Sequence, residues 1–565
     1  MAAFFWLMIS YNISAGNPSQ HIFEIVMRVP VNNRKQLNLQ LPAWRPGRYE
    51  LANFAKNIIS FDPTDEMGVH LNFRKITKDL WEIEVEGLAF VKIKYSYYSN
   101  ELNAGSTYVD SLQWYMNPVN CLLFDTEQQM EEHEVILNFP SDYELASPIK
   151  IAANKMLAKS FDELADNPFI ASNALKKKSF VEGDCEFVLW FQGPIDPDWE
   201  KVLSHFKAYT QEQISNFGSF PVKEYHYLFQ ITPYTHYHGV EHTQSTVITL
   251  GPANELMSTD RYLKLLGVSS HELYHTWNIK TIRPKEMLPY DFSKENYTKQ
   301  GFVAEGVTTY MGDLMLYRSQ VYSWEQFVAT LEVNLKKHFD NFGRFNMSVA
   351  DSSFDTWLDG YTLGAPNRKV SIYTEGALNM LMIDVIILQN SNCNDSLHTV
   401  MKDLYTDFAL NGVGYTEVDF NNLCIKYGGE KIDSIFEKHI YGTADFLPNL
   451  KKYFNSLGLN LIFEAQIEGL EGSYGIKTNP SLSNNKMRIT AIHPNSSAIQ
   501  AGVAVGDYIL NFDMEEGSII VEQLFGIKTL NLVEGEFYQN PKLSKEKAPS
   551  EEQKRLFKMW SKNTF

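Results

Sequence analysis

The sequence predicts a multidomain α+β protein with β-rich ends and a helical middle, and three observations lead there. From residue 10 to about 190 the chain runs in short alternating segments broken by Pro, Gly and Asn, such as HIFEIVMRV (21–29), LWEIEV (80–85) and VKIKYSYY (91–98), the pattern of an antiparallel β-sandwich. From Trp199 to about Gly458 apolar residues recur with a helical period. From about 460 the alternation returns. Boundaries follow at 1–195, 196–459 and 460–540, with a Lys/Pro/Glu-rich stretch opening a tail at 541–565.

Composition agrees. With 565 residues, 44% of them hydrophobic and 13% aromatic, the chain can bury several cores. Its net charge of −18 argues against nucleic acid or an anionic membrane as the main partner. Cys121, Cys185, Cys393 and Cys424 are scattered and form no C-x-x-C pair, so they read as reduced, packed thiols. The apolar start Met1–Ile9 has no basic n-region and runs into Ser10–Ile13, which reads as a first strand and not as a signal peptide. No other run approaches the roughly 18 residues of a membrane span. A soluble, cytoplasmic protein is expected.

In the middle region YLKLLGV (262–268) leads as a buried helix into His271-Glu272-Leu273-Tyr274-His275. In a helix the two His, four residues apart, point about 40° apart around the axis. That suits two ligands on one tetrahedral zinc, with Glu272 placed to act as general base on a metal-bound water. A catalytic zinc takes a third protein ligand. Glu305, in the apolar, aromatic-rich segment 297–310, is the best candidate, because a lone carboxylate there is costly unless a cation pairs it. Glu286, Asp291 and Glu295 lie nearer, but in a polar connection broken by Pro284 and Pro289 where solvent accounts for them. The segments 323–340, 373–390, 396–410, 416–428 and 431–442 read as further helices, forming a subdomain beside the zinc helices. Before the motif, KEYHYLFQIT (223–232) and 240–250 read as strands, the second carrying Glu241 and His242 beside the cleft.

Several separated segments resemble the glycyl aminopeptidase family of zinc metallopeptidases. HELYHTWNIKTIRP (271–284) resembles its zinc helix and the basic turn after it, Glu305-Gly306 its third-ligand helix, and Gly239-Val240-Glu241-His242 its G-x-E-H strand. Tyr373-Thr374-Glu375-Gly376-Ala377 is similar to its Tyr-x-Lys-Gly-Ala segment, with Glu375 where Lys is usual. PAWRPGRY (42–49) resembles its Trp-x-Pro-Gly signature, and 548–560 its closing short helix. The resemblance implies a β-rich N-terminal domain, a thermolysin-like zinc peptidase domain and a C-terminal PDZ domain. It implies one Zn2+ per chain on His271, His275 and Glu305, with Glu272 as base and Tyr373 donating to the oxyanion. Glu241 would hold the free α-ammonium of a peptide, supported by Gly239 and His242, and the first residue would be Gly or Ala.

In the last region His493–Leu510 reads as a short helix ending at Gly502, then a Gly506-Asp507 turn into an apolar strand, which resembles a PDZ core. The peptide-binding loop there would be Tyr474-Gly475-Ile476, although a purely structural PDZ-like domain reads equally well. Two rivals to the aminopeptidase stay open: a zinc endopeptidase with the same metal site, and a peptide-binding PDZ protein whose zinc site is vestigial.

Overall fold

The computed structural model describes residues 8–361, 364–465, 469–480 and 486–565; the start Met1–Leu7 lies outside them. The chain divides into two compact units, one of residues 1–322, 353–362 and 397–424, the other of residues 323–352, 363–396 and 425–565.

The first unit begins with the alternating runs. Ile22–Pro30 and Phe90–Tyr98 pair antiparallel at the heart of a seven-stranded sheet, burying one face. The sheet departs from a purely antiparallel sandwich, because Ile9–Ser14 pairs parallel with His133–Leu137. Two four-stranded sheets complete the N-terminal part.

A further five-stranded mixed sheet runs Lys176–Glu182, Cys185–Gln192, Glu224–Ile231, Ser245–Gly251, His236–Glu241. Cys185–Gln192, Glu224–Ile231 and Ser245–Gly251 are parallel neighbours, and their near-continuous apolar runs fit strands covered on both faces. This sheet starts before residue 196, where the sequence pattern places the end of the N-terminal domain. The two regions also share a core, since Tyr115, Ala146 and Ile170 pack in one cluster with Trp190, Leu228 and Val247. His236–Glu241 is the edge strand, antiparallel to its neighbour. Helix Thr259–His275 crosses this sheet and packs on Thr308–Arg318, where Gly312 lets the helices close: a Cβ on it would stand 3.1 Å from the Cα of His271.

The second unit is built around helix Ile372–Asn390, almost wholly buried, with Trp324–Asp340, Leu447–Ser456 and Glu551–Ser561 against it. By length and composition this helix could cross a membrane, which corrects the expectation that no run approaches that length; 89% of its apolar window is buried in the protein. Glu375 is buried on it, and His338 explains how: its Nδ1 lies 2.7 and 2.9 Å from the two carboxylate oxygens. The tail is not an appendage. Asn540–Lys545 pairs with Leu459–Glu464, and Glu551–Ser561, started by a Ser550/Gln553 capping box, buries Trp560 completely.

The last region forms a five-stranded antiparallel sheet with a short helix Ser497–Ala501 capped by Gly502 in the left-handed conformation. Its Tyr474–Ile476 loop differs from an open carboxylate cradle. Gly475 caps helix Leu470–Tyr474, its N–H donating to the Glu471 carbonyl, and the following chain covers the loop, Gly535 and Phe537 donating to the carbonyls of Ser473 and Gly472 at 2.9 Å. All four cysteines are free, and Cys121, Cys185 and Cys424 are buried.

Within the first unit a buried ion pair ties the N-terminal part to the mixed sheet. Asp166 accepts from Lys280 Nζ at 2.7 Å and from His242 Nδ1 at 3.1 Å through Oδ1, and from the Thr243 N–H and hydroxyl through Oδ2. Burial pushes the Asp166 carboxyl upward, but Lys280 and His242 outweigh it and hold it well below the ordinary carboxylate range. A depressed folded value stabilises the fold above the unfolded carboxylate value of about 4 and is lost only as pH falls through the folded one. Asp166→Ala strands a fully buried ammonium and should cost about 3–5 kcal/mol at pH 7. Denaturant midpoints of the two proteins measure it, and a loss under about 1 kcal/mol would show the pair to be dispensable.

Candidate active site

The site grows from the end of one helix. His271 and His275 lie one turn apart in Thr259–His275, and their Nε2 atoms face each other at 2.9 Å. Glu305 comes from the segment Phe302–Val307, a π-helical turn with all six residues buried, which leads into Thr308–Arg318. Such turns insert an extra residue and re-aim side chains. Here the Oε2 of Glu305 stands 3.3 Å from His275 Nε2 and 3.7 Å from His271 Nε2.

The turn after the helix fixes these groups. His275 Nδ1 donates to the Asn278 carbonyl at 2.8 Å, which leaves its Nε2 lone pair for the site. The Asn278 amide donates to the carbonyls of Val303 and Ala304 and to the Thr308 hydroxyl, binding this turn to the helix that carries Glu305. Ile279 follows at φ 115°, a conformation costing a β-branched residue about 1–3 kcal/mol. That strain sets Asn278 and Lys280 toward their two partners on either side.

Glu272 and Glu241 complete the cluster, each having one carboxylate oxygen buried without a hydrogen-bond partner. Ligand atoms of Glu241, Glu272 and His275 lie within 4.8 Å of one another. Glycines make this approach possible. A Cβ on Gly239 would meet Glu272 Oε1 at 2.2 Å, and one on Gly47 would meet Glu241 Oε2 at 2.5 Å. Gly239 therefore shapes the site through the space it leaves. His242, turned to Asp166, holds the end of the strand and takes no place among the ligands.

Electrostatics point to a missing positive charge. Burial alone would lower His275, yet Glu305, Glu241 and Glu272 override it and lift it to about 10. His271 moves the other way, lowered by burial and by His275. Burial raises Glu272 well above its ordinary value, with Glu241 and Glu305 adding to the effect. Glu305 is pushed up by burial, but the two imidazoles outweigh that and hold it at about 2. The cluster thus concentrates negative charge around the two imidazoles, an environment that suits a divalent cation. Two imidazole nitrogens and a carboxylate, mutually 2.9–3.7 Å apart, are a donor set suited to zinc. His271, His275 and Glu305 would hold it. Glu241, Glu272 and His275 form a second possible set, but Glu272 leaves its orphaned oxygen free for a proton, and the first set uses both imidazoles.

The sequence reading missed residues from the N-terminal part. The Tyr49 hydroxyl donates to Glu305 Oε1 at 3.3 Å, buttressed by Trp357 and, through it, Trp44. Asp166 and Lys280 secure the Glu241 strand. Tyr49 lay inside the quoted Trp-x-Pro-Gly segment, and Lys280 inside the basic turn after the helix, but spacing alone gave neither a partner. Tyr373 stands in the first turn of Ile372–Asn390 in the second unit, partly exposed.

Comparison with known proteins gives two family matches: the Peptidase M61 N-terminal domain over residues 10–173, and M61 glycyl aminopeptidase over residues 264–379. No curated protein matches. Among solved structures, an aminopeptidase N family protein from Idiomarina loihiensis is similar at 25% identity and a TM-score of 0.88, covering 97% of this chain and 100% of its own. An M1 zinc metallopeptidase from Deinococcus radiodurans aligns at 11% identity and a TM-score of 0.47, covering 78% of this chain and 94% of its own, too loosely to carry an argument.

Removing the Tyr49 hydroxyl takes a donor from a metal ligand, a change that typically costs 10- to 100-fold in metal affinity. Tyr49→Phe should therefore lose zinc to a competing chelator at least about tenfold more readily. Equal retention would reduce Tyr49 to packing.

Proposed function

We propose that the chain is a zinc aminopeptidase that removes a first residue, Gly or Ala, from peptides with a free amino end, with one zinc per chain; the matches to the Peptidase M61 N-terminal domain and M61 glycyl aminopeptidase, and the similarity to an aminopeptidase N family protein, support this reading. The observation that carries the reading is Glu241: a buried carboxylate with an orphaned oxygen, on the edge strand, beside Glu272 and His275. An α-ammonium is the substrate group that such a carboxylate fits, and charge-assisted pairing in a dry cleft is selective. The description of the matched family, a glycyl aminopeptidase, supports Gly as that first residue.

Zinc on His271, His275 and Glu305 supplies Lewis acidity to the scissile carbonyl and acidifies water. Glu272 takes a proton from the water that attacks the carbonyl carbon, and delivers it to the amine nitrogen as the C–N bond breaks. Its raised affinity for protons suits both halves of that task. Glu241 holds the amino end, so a blocked or internal residue leaves a carboxylate unpaired. Tyr373 is assigned the oxyanion on the strength of the family resemblance. For the last region, the covered Tyr474–Ile476 loop supports a PDZ-like domain in a structural role, without peptide capture. The compartment proposed is the cytoplasm, which the four free thiols support.

A free-amine glycyl chromogenic amide and its N-acetyl twin test the assignment. Cleavage of the free amine alone is expected, and equal cleavage of both would replace the aminopeptidase by an endopeptidase. Glu272→Gln should keep its zinc and lose about 10²- to 10⁴-fold in kcat. Glu241→Ala should lose chiefly the discrimination between the two substrates. A Glu272→Gln protein of full activity would leave the site vestigial.

A further inference from the structure

The segment that sets Gly47 against Glu241 and Tyr49 against Glu305 also carries a buried arginine that forms no ion pair. Arg45 is 5% exposed. Among the described residues its one hydrogen bond runs from Nη1 to the carbonyl of Pro46 at 3.3 Å, and no carboxylate forms an ion pair with it. Of the acids nearby, Glu50 pairs with Arg48, Glu101 accepts from Asn103 at 2.6 Å, and Glu241 acts on the guanidinium through charge without an ion pair. The fold nevertheless makes room for this guanidinium, since a Cβ on Gly105 would stand 2.1 Å from its Cζ.

Arg45 lines a cavity of about 650 Å³, together with Arg48, Asn103, Ser106, Thr107 and Asn120. Asn120 is buried there, and its Oδ1 has no hydrogen-bond partner. Arg45 lies two residues before Gly47, on which a Cβ would meet Glu241 Oε2 at 2.5 Å, so one short segment lines both the cavity and the Glu241 side of the cluster. Burial and the neighbouring Arg48 depress the guanidinium, although an arginine keeps its proton at neutral pH. A buried cation is costly without an anion, and a free guanidinium fork matches a carboxylate in shape and charge.

We propose that Arg45 binds a carboxylate of the substrate, so that the enzyme prefers short peptides, or peptides with an acidic side chain near the scissile bond. This rests on the reading that Glu241 takes the amino end. A zwitterionic di- or tripeptide then lies with its ammonium at Glu241 and its carboxylate toward the Arg45 cavity. The orphaned Asn120 Oδ1 supplies an acceptor for a peptide N–H along the way.

The test compares kcat/KM on the zinc-loaded full chain for Gly-Ala against Gly-Ala amide, and for Gly-Glu amide against Gly-Gln amide. A charged hydrogen bond predicts at least about a tenfold advantage for the carboxylate member of one pair. An advantage in the first pair identifies the terminal carboxylate, and in the second the side chain. Arg45→Gln should bring that ratio close to one, and Arg45→Lys, a point charge without the fork, should leave it in between. A wild-type ratio near one in both pairs overturns the proposal, and so does a ratio that Arg45→Gln leaves unchanged. If Arg45→Gln does not fold, the wild-type ratios and calorimetric binding of Gly-Ala and its amide to zinc-loaded Glu272→Gln protein decide. Running each pair also N-acetylated separates the two readings: cleavage of acetylated peptides removes the aminopeptidase, whereas indifference to the carboxylate removes the role of Arg45.

Discussion

Three buried carboxylates set against two imidazoles, one buried and one partly exposed, are the constraint on which the rest of the first unit depends. Glu241, Glu272 and Glu305 would repel one another strongly in a dry cleft. Their mutual repulsion is felt by their neighbours: Glu305, Glu241 and Glu272 raise His275, and burial with Glu241 and Glu305 raises Glu272. Zinc between His271, His275 and Glu305 answers part of that charge, and an incoming ammonium answers more of it. On the function proposed above, the site would be completed by two cations, one resident and one carried by the substrate. The helix contact at Gly312, the π-helical turn at Glu305 and the strained Ile279 all hold like charges closer than they would stand freely.

The N-terminal β region belongs to this machinery. Its core runs into the mixed sheet, and three of its residues, Arg45, Gly47 and Tyr49, stand at or beside catalytic carboxylates. Asp166 anchors the end of the strand at which Glu241 stands, through Lys280, His242 and Thr243. Positioning of Glu241 is thus shared between parts of the chain more than 70 residues apart in sequence. A boundary drawn by secondary-structure pattern near residue 195 cuts through this arrangement, because pattern reports local period and not which sheet a strand joins.

What was legible in the sequence is what local spacing controls. The His271–His275 pair follows from helical period, and Glu305 stood out because a carboxylate in an apolar run is expensive. The helices from Trp324 to Ile440 and the β-rich start were visible by their periods. The parallel pairing of Ile9–Ser14 with His133–Leu137, the Tyr49–Glu305 contact and the Asp166–Lys280 pair were not, since each joins residues more than 100 apart with nothing in the local pattern to mark the partner. Glu375 shows the same limit: the sequence marks it only as a departure from the family's usual Lys, and its explanation is His338, a partner 37 residues away.

The charges of the cleft also carry an asymmetry that follows from these long-range contacts. Glu241 and Arg45 are both buried, they influence one another, and yet they do not pair. Direct pairing would lower the cost of each, so holding them apart has to be imposed by the fold. Gly47 brings the backbone onto Glu241, and Gly105 receives the Arg45 guanidinium on the cavity side. The result is a fixed field, negative at the metal end and positive toward the cavity. A zwitterion satisfies both ends of that field at once, whereas a peptide lacking either charge leaves one buried ion uncompensated.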